Sequence, residues 1–331
     1  MKEVLVIGAA GQVGSELTMV LRHRYGCDHV VAGWHVTPLS HELRVSGPYE
    51  MVDCLNEHLL ARVIKEHKIQ TVYHLAAILS AAAEDDPRKA WDVNIRGVLN
   101  VLEVAREFQC SVFIPSSIGA FGPTTPKDRT PQNTVQRPDT IYGVSKVSGE
   151  LLGDFYFRKY RVDVRGLRYP GLVSTVTLPG GGTTNYAVEI FYKALLEGKF
   201  TCYLRPDTYL DMMYMPDAIR AAIELMKSNP EKLKHRNSYN VTAMSFCPEE
   251  VAAEIRRFLP DFVMDYDVNP VKQSIADSWP NSIDDSVARE EWGWSPRFDL
   301  QSMTKDMLEV LSKRFGLWEK IFSHRNFDKY E

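Results

Sequence analysis

No run of apolar residues in this chain approaches the roughly 20 needed to cross a bilayer. Neither sign of charge dominates: 39 Lys and Arg against 43 Asp and Glu leave a formal net charge of −4. A balance this close to neutral argues against a dedicated partner for nucleic acid or for an anionic membrane. Cysteine is scarce, with five at positions 27, 54, 110, 202 and 247 and no C-x-x-C pair. That odd, dispersed set argues against a disulfide framework or a zinc knuckle, and reads as reduced thiols in an intracellular protein. The nine histidines show no metal-like spacing, so no metal is expected. There is no internal repeat and no low-complexity tract. Nor is there a charged leader with a cleavage site, since Met1-Lys2-Glu3 runs straight into Val4-Leu5-Val6-Ile7. What remains is a soluble chain of 331 residues, 44% hydrophobic and 25% charged, long enough for about two domains.

The first half alternates short β-branched runs with helical patterns. Strands are predicted at 4–7, 30–34, 49–53, 71–75, 111–114 and 162–168, and helices at 14–24, 57–67, 87–108 and 142–159. Such alternation implies α/β architecture with a doubly wound parallel sheet, because parallel strands need crossover helices on both faces. After Pro170 the pattern breaks up around Pro179-Gly180-Gly181-Gly182. The expected division is a nucleotide-binding domain over 1–170, a smaller C-terminal substrate lobe over 171–315, and a tail over 316–331 with no assigned structure. One late strand, 238–241, is expected to return to the main sheet.

Gly8-Ala9-Ala10-Gly11-Gln12-Val13-Gly14 lies between the first strand and the first helix. Glycines there allow a tight turn and close approach of a pyrophosphate, and the helix N-terminus offers free N–H groups to it. A glycine trio alone is weak, but in this context it predicts dinucleotide binding on a Rossmann-type sheet. The second strand ends Gly33-Trp34-His35, with no acid for ribose hydroxyls and no base for a 2′-phosphate. The choice between NAD and NADP is therefore partly open, with NAD expected because nothing basic stands there. Asp53 is a candidate acceptor for the adenine amino group; the plainer alternative is a turn former.

Tyr142 and Lys146 lie one turn apart on one helix face, and Ser117 ends the preceding strand region. Loops at the carboxyl ends of parallel strands gather around a ligand, which brings the three together. A tyrosine base at neutral pH needs stabilisation of about 4 kcal/mol, and a nearby ammonium with a positive nicotinamide ring can supply it. Ser117 would orient a substrate hydroxyl. Asn94 could anchor a water chain leading to Lys146, or could make only a local helix bond.

Together with His74-Leu75-Ala76-Ala77, these residues resemble the extended short-chain dehydrogenase/reductase family over nearly the whole chain. More narrowly, the pattern is similar to the short-chain type of L-threonine 3-dehydrogenases. The segments that carry this are His74–Ala81, Pro115–Ile118 with Phe121–Pro123, Leu167–Gly171, Pro179–Ala187, Ile275–Pro280 and Asp284–Ser286. The resemblance implies oxidation of L-threonine at C3 by NAD, with Tyr142 as base, Lys146 beside it and Ser117 holding the hydroxyl. It implies a cofactor site of Gly8, Gly11, Gln12, Val13, Asp53, Cys54, Leu75, Ala76, Ala77, Asn94, Tyr142, Lys146 and Tyr169. It also implies an amino-acid pocket with Ser80, Ser117, Tyr142, Thr184 and Trp279. From the residues alone, Trp279 could be a core aromatic, Thr183 or Thr184 a helix cap, and 180–182 a hinge that closes over substrate. The resemblance further implies a homodimer packed through helices 87–108 and 142–159, with Val98, Leu102, Leu151, Phe155 and Tyr156 outermost. It places such enzymes in bacterial cytoplasm or in mitochondria.

Two rivals remain. A nucleotide-sugar epimerase or reductase would carry a Gly-x-x-Arg-Asp run where this chain reads Leu210-Asp211-Met212-Met213-Tyr214-Met215. A non-catalytic NAD(P) sensor would typically have lost the Tyr–Lys pair.

Overall fold

The computed structural model describes residues 3–176 and 182–322. In chain order the first half contains β1 (Val4–Ile7), α1 (Gln12–Tyr25), β2 (Val30–Trp34), α2 (His41–Val45), β3 (Tyr49–Met51), α3 (Glu57–Glu66) and β4 (Thr71–His74). It continues with α4 (Ser80–Asp85), α5 (Pro87–Trp91), α6 (Gly97–Phe108), β5 (Ser111–Phe113), β6 (Ser116–Ser117), α7 (Ile141–Tyr160), β7 (Val164–Arg165) and β8 (Leu167–Tyr169). The second half contains β9 (Gly171–Val173), α8 (Tyr186–Glu197), β10 (Lys199–Cys202), β11 (Leu210–Tyr214), α9 (Met215–Lys227), β12 (Tyr239–Asn240) and β13 (Met244–Phe246). It ends with α10 (Pro248–Arg256), β14 (Val263–Tyr266), α11 (Pro270–Ser278), α12 (Ser286–Trp292), α13 (Leu300–Arg314) and α14 (Trp318–Phe322).

The main sheet is six-stranded and parallel, in the order β3-β2-β1-β4-β5-β7. Its centre is apolar on both faces, as a strand covered by helices on each side requires: all four residues of β1 are buried. β1 pairs with β2 on one side and β4 on the other, so the chain reverses its direction of travel across the sheet there. The loops after β1 and β4 then part and open a crevice at the strands' carboxyl ends. This is the doubly wound Rossmann-type fold expected from the alternation.

The differences from the sequence reading have physical causes. The run 162–168 is not one strand. It divides at Gly166, β7 pairing with β5 and β8 with β6. A side chain at Gly166 would meet the Ile114 carbonyl oxygen at 2.5 Å, so the chain steps between sheets where only hydrogen fits. The helix over 87–108 has a π-helical turn, Asp92–Arg96, between α5 and α6. The late strand, Tyr239–Asn240, pairs with β8 in a smaller parallel sheet, β6-β8-β12, rather than with the six-stranded one.

Of the apolar clusters among the described residues, two join distant parts of the chain. One cluster joins Val6 and Leu17 to Met213, Ala218, Ile223 and Tyr239, so α9 closes the face of the sheet beside α1. Another gathers α8, α10 and α13 through Phe191, Ile255 and Met307. Of the residues expected on the outer faces of the two long helices, Val98, Leu102 and Tyr156 are buried against the sheet, while Leu151 and Phe155 are exposed. Among the described residues no helix is long and apolar enough to cross a membrane.

Candidate active site

The glycine loop is shaped for a phosphate group by its own backbone. Gly8 has φ of +86°, and a side chain there would lie 2.8 Å from the Ala76 nitrogen. A side chain at Gly14 would lie 2.2 Å from the Gly8 carbonyl oxygen, so α1 packs onto β1 only because that position is glycine. Helix α1 begins at Gln12 with no acid in its first turn, leaving its positive end free for an anion. The Gln12 side-chain nitrogen is buried without a hydrogen-bond partner in the protein. A donor stranded beside a cradle that excludes side chains fits a dinucleotide.

From this loop a pocket of about 260 Å³ extends across the sheet's carboxyl edge. Gly8, Gly11, Gln12, Val13, Leu75, Ala77 and Tyr169 line its nucleotide end, and Ser117, Tyr142 and Lys146 line its middle. Ser80, Thr184 and Trp279 complete the same pocket, so residues far apart in sequence converge as expected. Gly182 also lines it, whereas Gly180 and Gly181 lie outside the described residues.

Helix α7 delivers the central pair. Thr140 caps it, accepting the Gly143 N–H at 3.0 Å, which sets Tyr142 in the first turn. Gly119 lies against that ring: a side chain there would meet Tyr142 Cε1 at 3.1 Å. Ser117 Oγ accepts the Gly119 N–H at 3.1 Å, so the same turn fixes both side chains. Lys146 Nζ sits 5.4 Å from the Tyr142 ring centroid and donates to the Pro115 carbonyl at 2.9 Å. Phenol, ammonium and hydroxyl thus occupy one wall.

Several expected site residues also have protein partners of their own. Asn94, in the π-turn, lines a small cavity together with Lys146. Its side chain accepts the Ile78 N–H at 2.8 Å and donates to the Ile78 carbonyl at 2.9 Å and to Ser145 Oγ at 3.2 Å. It therefore ties the segment before Ser80 to α7. Tyr169 borders the pocket, but its hydroxyl donates to the Ala218 carbonyl at 2.7 Å. Asp53 accepts the Leu55 N–H at 2.9 Å, and its other oxygen is 3.9 Å from His35 Nε2. Cys54 is buried, its sulfur filling the space where a Gly97 side chain would stand. Asp53, Cys54 and Ala76 are not among the residues lining the central pocket. Thr183 is buried and Thr184 faces the pocket, in a short turn before α8.

Sequence reasoning missed the frame beneath the site. Glu150 lies one turn beyond Lys146, and its carboxylate takes two bonds from Arg168, at 2.7 and 3.0 Å. It also accepts Ser116 Oγ at 2.5 Å and Gln136 Nε2 at 2.9 Å. The positions 142, 146 and 150, spaced by four on one helix face, were the available signal.

Residues 4–242 match the model of the NAD dependent epimerase/dehydratase family. The chain belongs to that family. Its cofactor is NAD, and the glycine cradle, Gln12 and Lys146 are the residues that would hold it. Among solved structures, L-threonine dehydrogenase from Clostridium difficile is 51% identical, covering 95% of this chain and 98% of its own, with a TM-score of 0.93. A holo-form GalE-like L-threonine dehydrogenase from Cupriavidus necator is 49% identical, covering 93% and 99%, with a TM-score of 0.91. An uncharacterized epimerase/dehydratase of Staphylococcus haemolyticus is 49% identical over 95% of this chain and 99% of its own. Among the described residues no cluster of three metal-ligating side chains occurs.

Proposed function

We propose that this protein oxidises L-threonine at C3 with NAD, giving 2-amino-3-oxobutanoate. The observation that carries the reading is one pocket that joins the glycine cradle, the Ser117–Tyr142–Lys146 wall and Ser80, Thr184 and Trp279. Likeness to two threonine dehydrogenases over nearly the full length of each supports the choice of substrate. Bound NAD supplies the hydride acceptor. Tyr142 takes the proton of the threonine hydroxyl, as its place at the start of α7 permits. Lys146 favours the charged tyrosinate by standing beside the ring, and Ser117 hydrogen-bonds the hydroxyl so that C3 is presented squarely. Positioned proton transfer of this kind contributes about 10²–10⁴ in rate. Ser80 and Thr184 offer hydroxyls to the carboxylate and ammonium, while Trp279 closes the far wall. A pocket that satisfies those groups rejects alcohols lacking them, because its own polar atoms are then left unpaired.

The test is NAD reduction by purified protein with L-threonine, 2-butanol and UDP-glucose as alternative substrates. Threonine alone should give sustained NADH formation. Turnover of the nucleotide sugar in preference to threonine would overturn the reading.

A further inference from the structure

A second, smaller cavity of about 20 Å³ adjoins the wall that holds Lys146. That is room for one water molecule. Its lining is polar, including His74, Asn94, Ser116, Ser145, Lys146 and Glu150. His74 ends β4 and is only 2% exposed, and neither of its ring nitrogens has a hydrogen-bond partner among the described residues. An imidazole carries one donor and one acceptor when neutral, and buried groups of both kinds are almost always satisfied. Burial, with the Lys146 charge adding to it, holds the His74 imidazole down to about 3, so the ring is neutral throughout the working range. A neutral ring keeps one lone pair available to accept. Lys146 has three N–H donors and gives one to the Pro115 carbonyl. Asn94 gives both amide hydrogens and one Oδ1 lone pair to Ile78 and Ser145, whereas both ring nitrogens of His74 still lack a bond among the described residues.

We propose that this cavity binds one ordered water that accepts a hydrogen bond from Lys146 and donates one to His74. His74 is then a positioning residue. Through the water it fixes the ammonium beside Tyr142 and stabilises the charged form of Lys146, which in turn favours the tyrosinate. The charged groups facing the cavity are Lys146 and Glu150, and Glu150 is locked by Arg168, so the water is where the Lys146 environment can be altered. Loss of the water leaves the ammonium less stabilised and the tyrosinate less favoured, which moves the acidic limb of the kcat–pH profile to higher pH. The kinetic part of this inference rests on the proton-abstraction reading above. The water site itself does not.

The test has two arms. A crystal structure of the wild-type protein without threonine should show one water within about 3.2 Å of both a His74 ring nitrogen and Lys146 Nζ. A dry cavity, or a water touching only one of the two, overturns the proposal even if threonine is the substrate. In kinetics, His74→Leu should lower kcat about tenfold and move the acidic limb up by about one pH unit, with both KM values within about twofold. His74→Asn, which can still bond a water, should recover a substantial part of both effects. A His74→Leu protein that loses only thermal stability and keeps the wild-type pH profile would refute the positioning role. If His74→Leu does not fold, the wild-type crystal structure and His74→Asn decide the matter. If threonine is not oxidised at all, the water density still stands or falls alone.

Discussion

Glu150→Ala should destabilise the protein by about 3–5 kcal/mol, because it strands a buried cation. Glu150 and Arg168 are each 8% exposed at the side chain. With the carboxylate gone, the hydrogen-bond acceptors left to Arg168 among the described residues are the Gln132 carbonyl at 2.8 Å and Asn240 Oδ1 at 3.1 Å, both uncharged and both on Nη1. Ser116 and Gln136 lose an acceptor at the same time. Unfolding entropy of about 2.1 cal/mol/K per residue gives roughly 0.7 kcal/mol/K for 331 residues, so Tm should fall by roughly 4–7 °C. Urea unfolding and calorimetry would read the two quantities. The double substitution Glu150→Met with Arg168→Leu removes both charges, and it should be more stable than Glu150→Ala alone. Ser116 adjoins Ser117, so kcat should fall in Glu150→Ala even at temperatures where the variant is fully folded. A loss below about 1 kcal/mol, or a double variant no more stable than the single one, would refute the view that this pair braces the site.

Three further outcomes follow from the geometry. Gly14→Ala should abolish measurable NAD binding by calorimetric titration, because the added methyl would stand 2.2 Å from backbone and force α1 off β1; wild-type affinity would contradict this. Cofactor preference, read as kcat/KM, should favour NAD over NADP, since a 2′-phosphate beside Trp34 finds no Lys or Arg there. Light scattering should give twice the mass of one chain, with Leu151 and Phe155 as the exposed apolar residues of α7; a monomer at micromolar concentration, or a dimer indifferent to Phe155→Asp, would count against the assembly.

The parts of the fold that the sequence made legible are those where one local pattern has one structural solution. A buried strand, a glycine trio and a helix gave the cradle, and the four-residue spacing of Tyr142 and Lys146 gave the pair that lines the pocket's middle. What escaped depended on tertiary neighbours. Gly166 looks like any residue of a β run until the Ile114 carbonyl is placed against it. Val98, Leu102 and Tyr156 are apolar whether they face the sheet or a partner, and periodicity does not say which side of a two-faced helix meets the sheet. Asn94 falls in a stretch whose pattern predicts a regular helix. The π-turn Asp92–Arg96 includes it, and its partners prove to be Ile78 and Ser145. Asp53 accepts the Leu55 N–H through one oxygen, a loop bond that leaves the other oxygen for a second partner.

The central claim is that one pocket couples threonine to NAD through Tyr142. The most direct measurement is threonine-dependent NADH formation by wild-type protein and by Tyr142→Phe at mildly alkaline pH, with NAD affinity measured in parallel. The account predicts sustained turnover by the wild type. It predicts a kcat at least about a hundredfold lower in Tyr142→Phe, with little change in NAD binding. Wild-type protein that binds NAD yet produces no threonine-dependent NADH, or a Tyr142→Phe variant that retains full turnover, would contradict it.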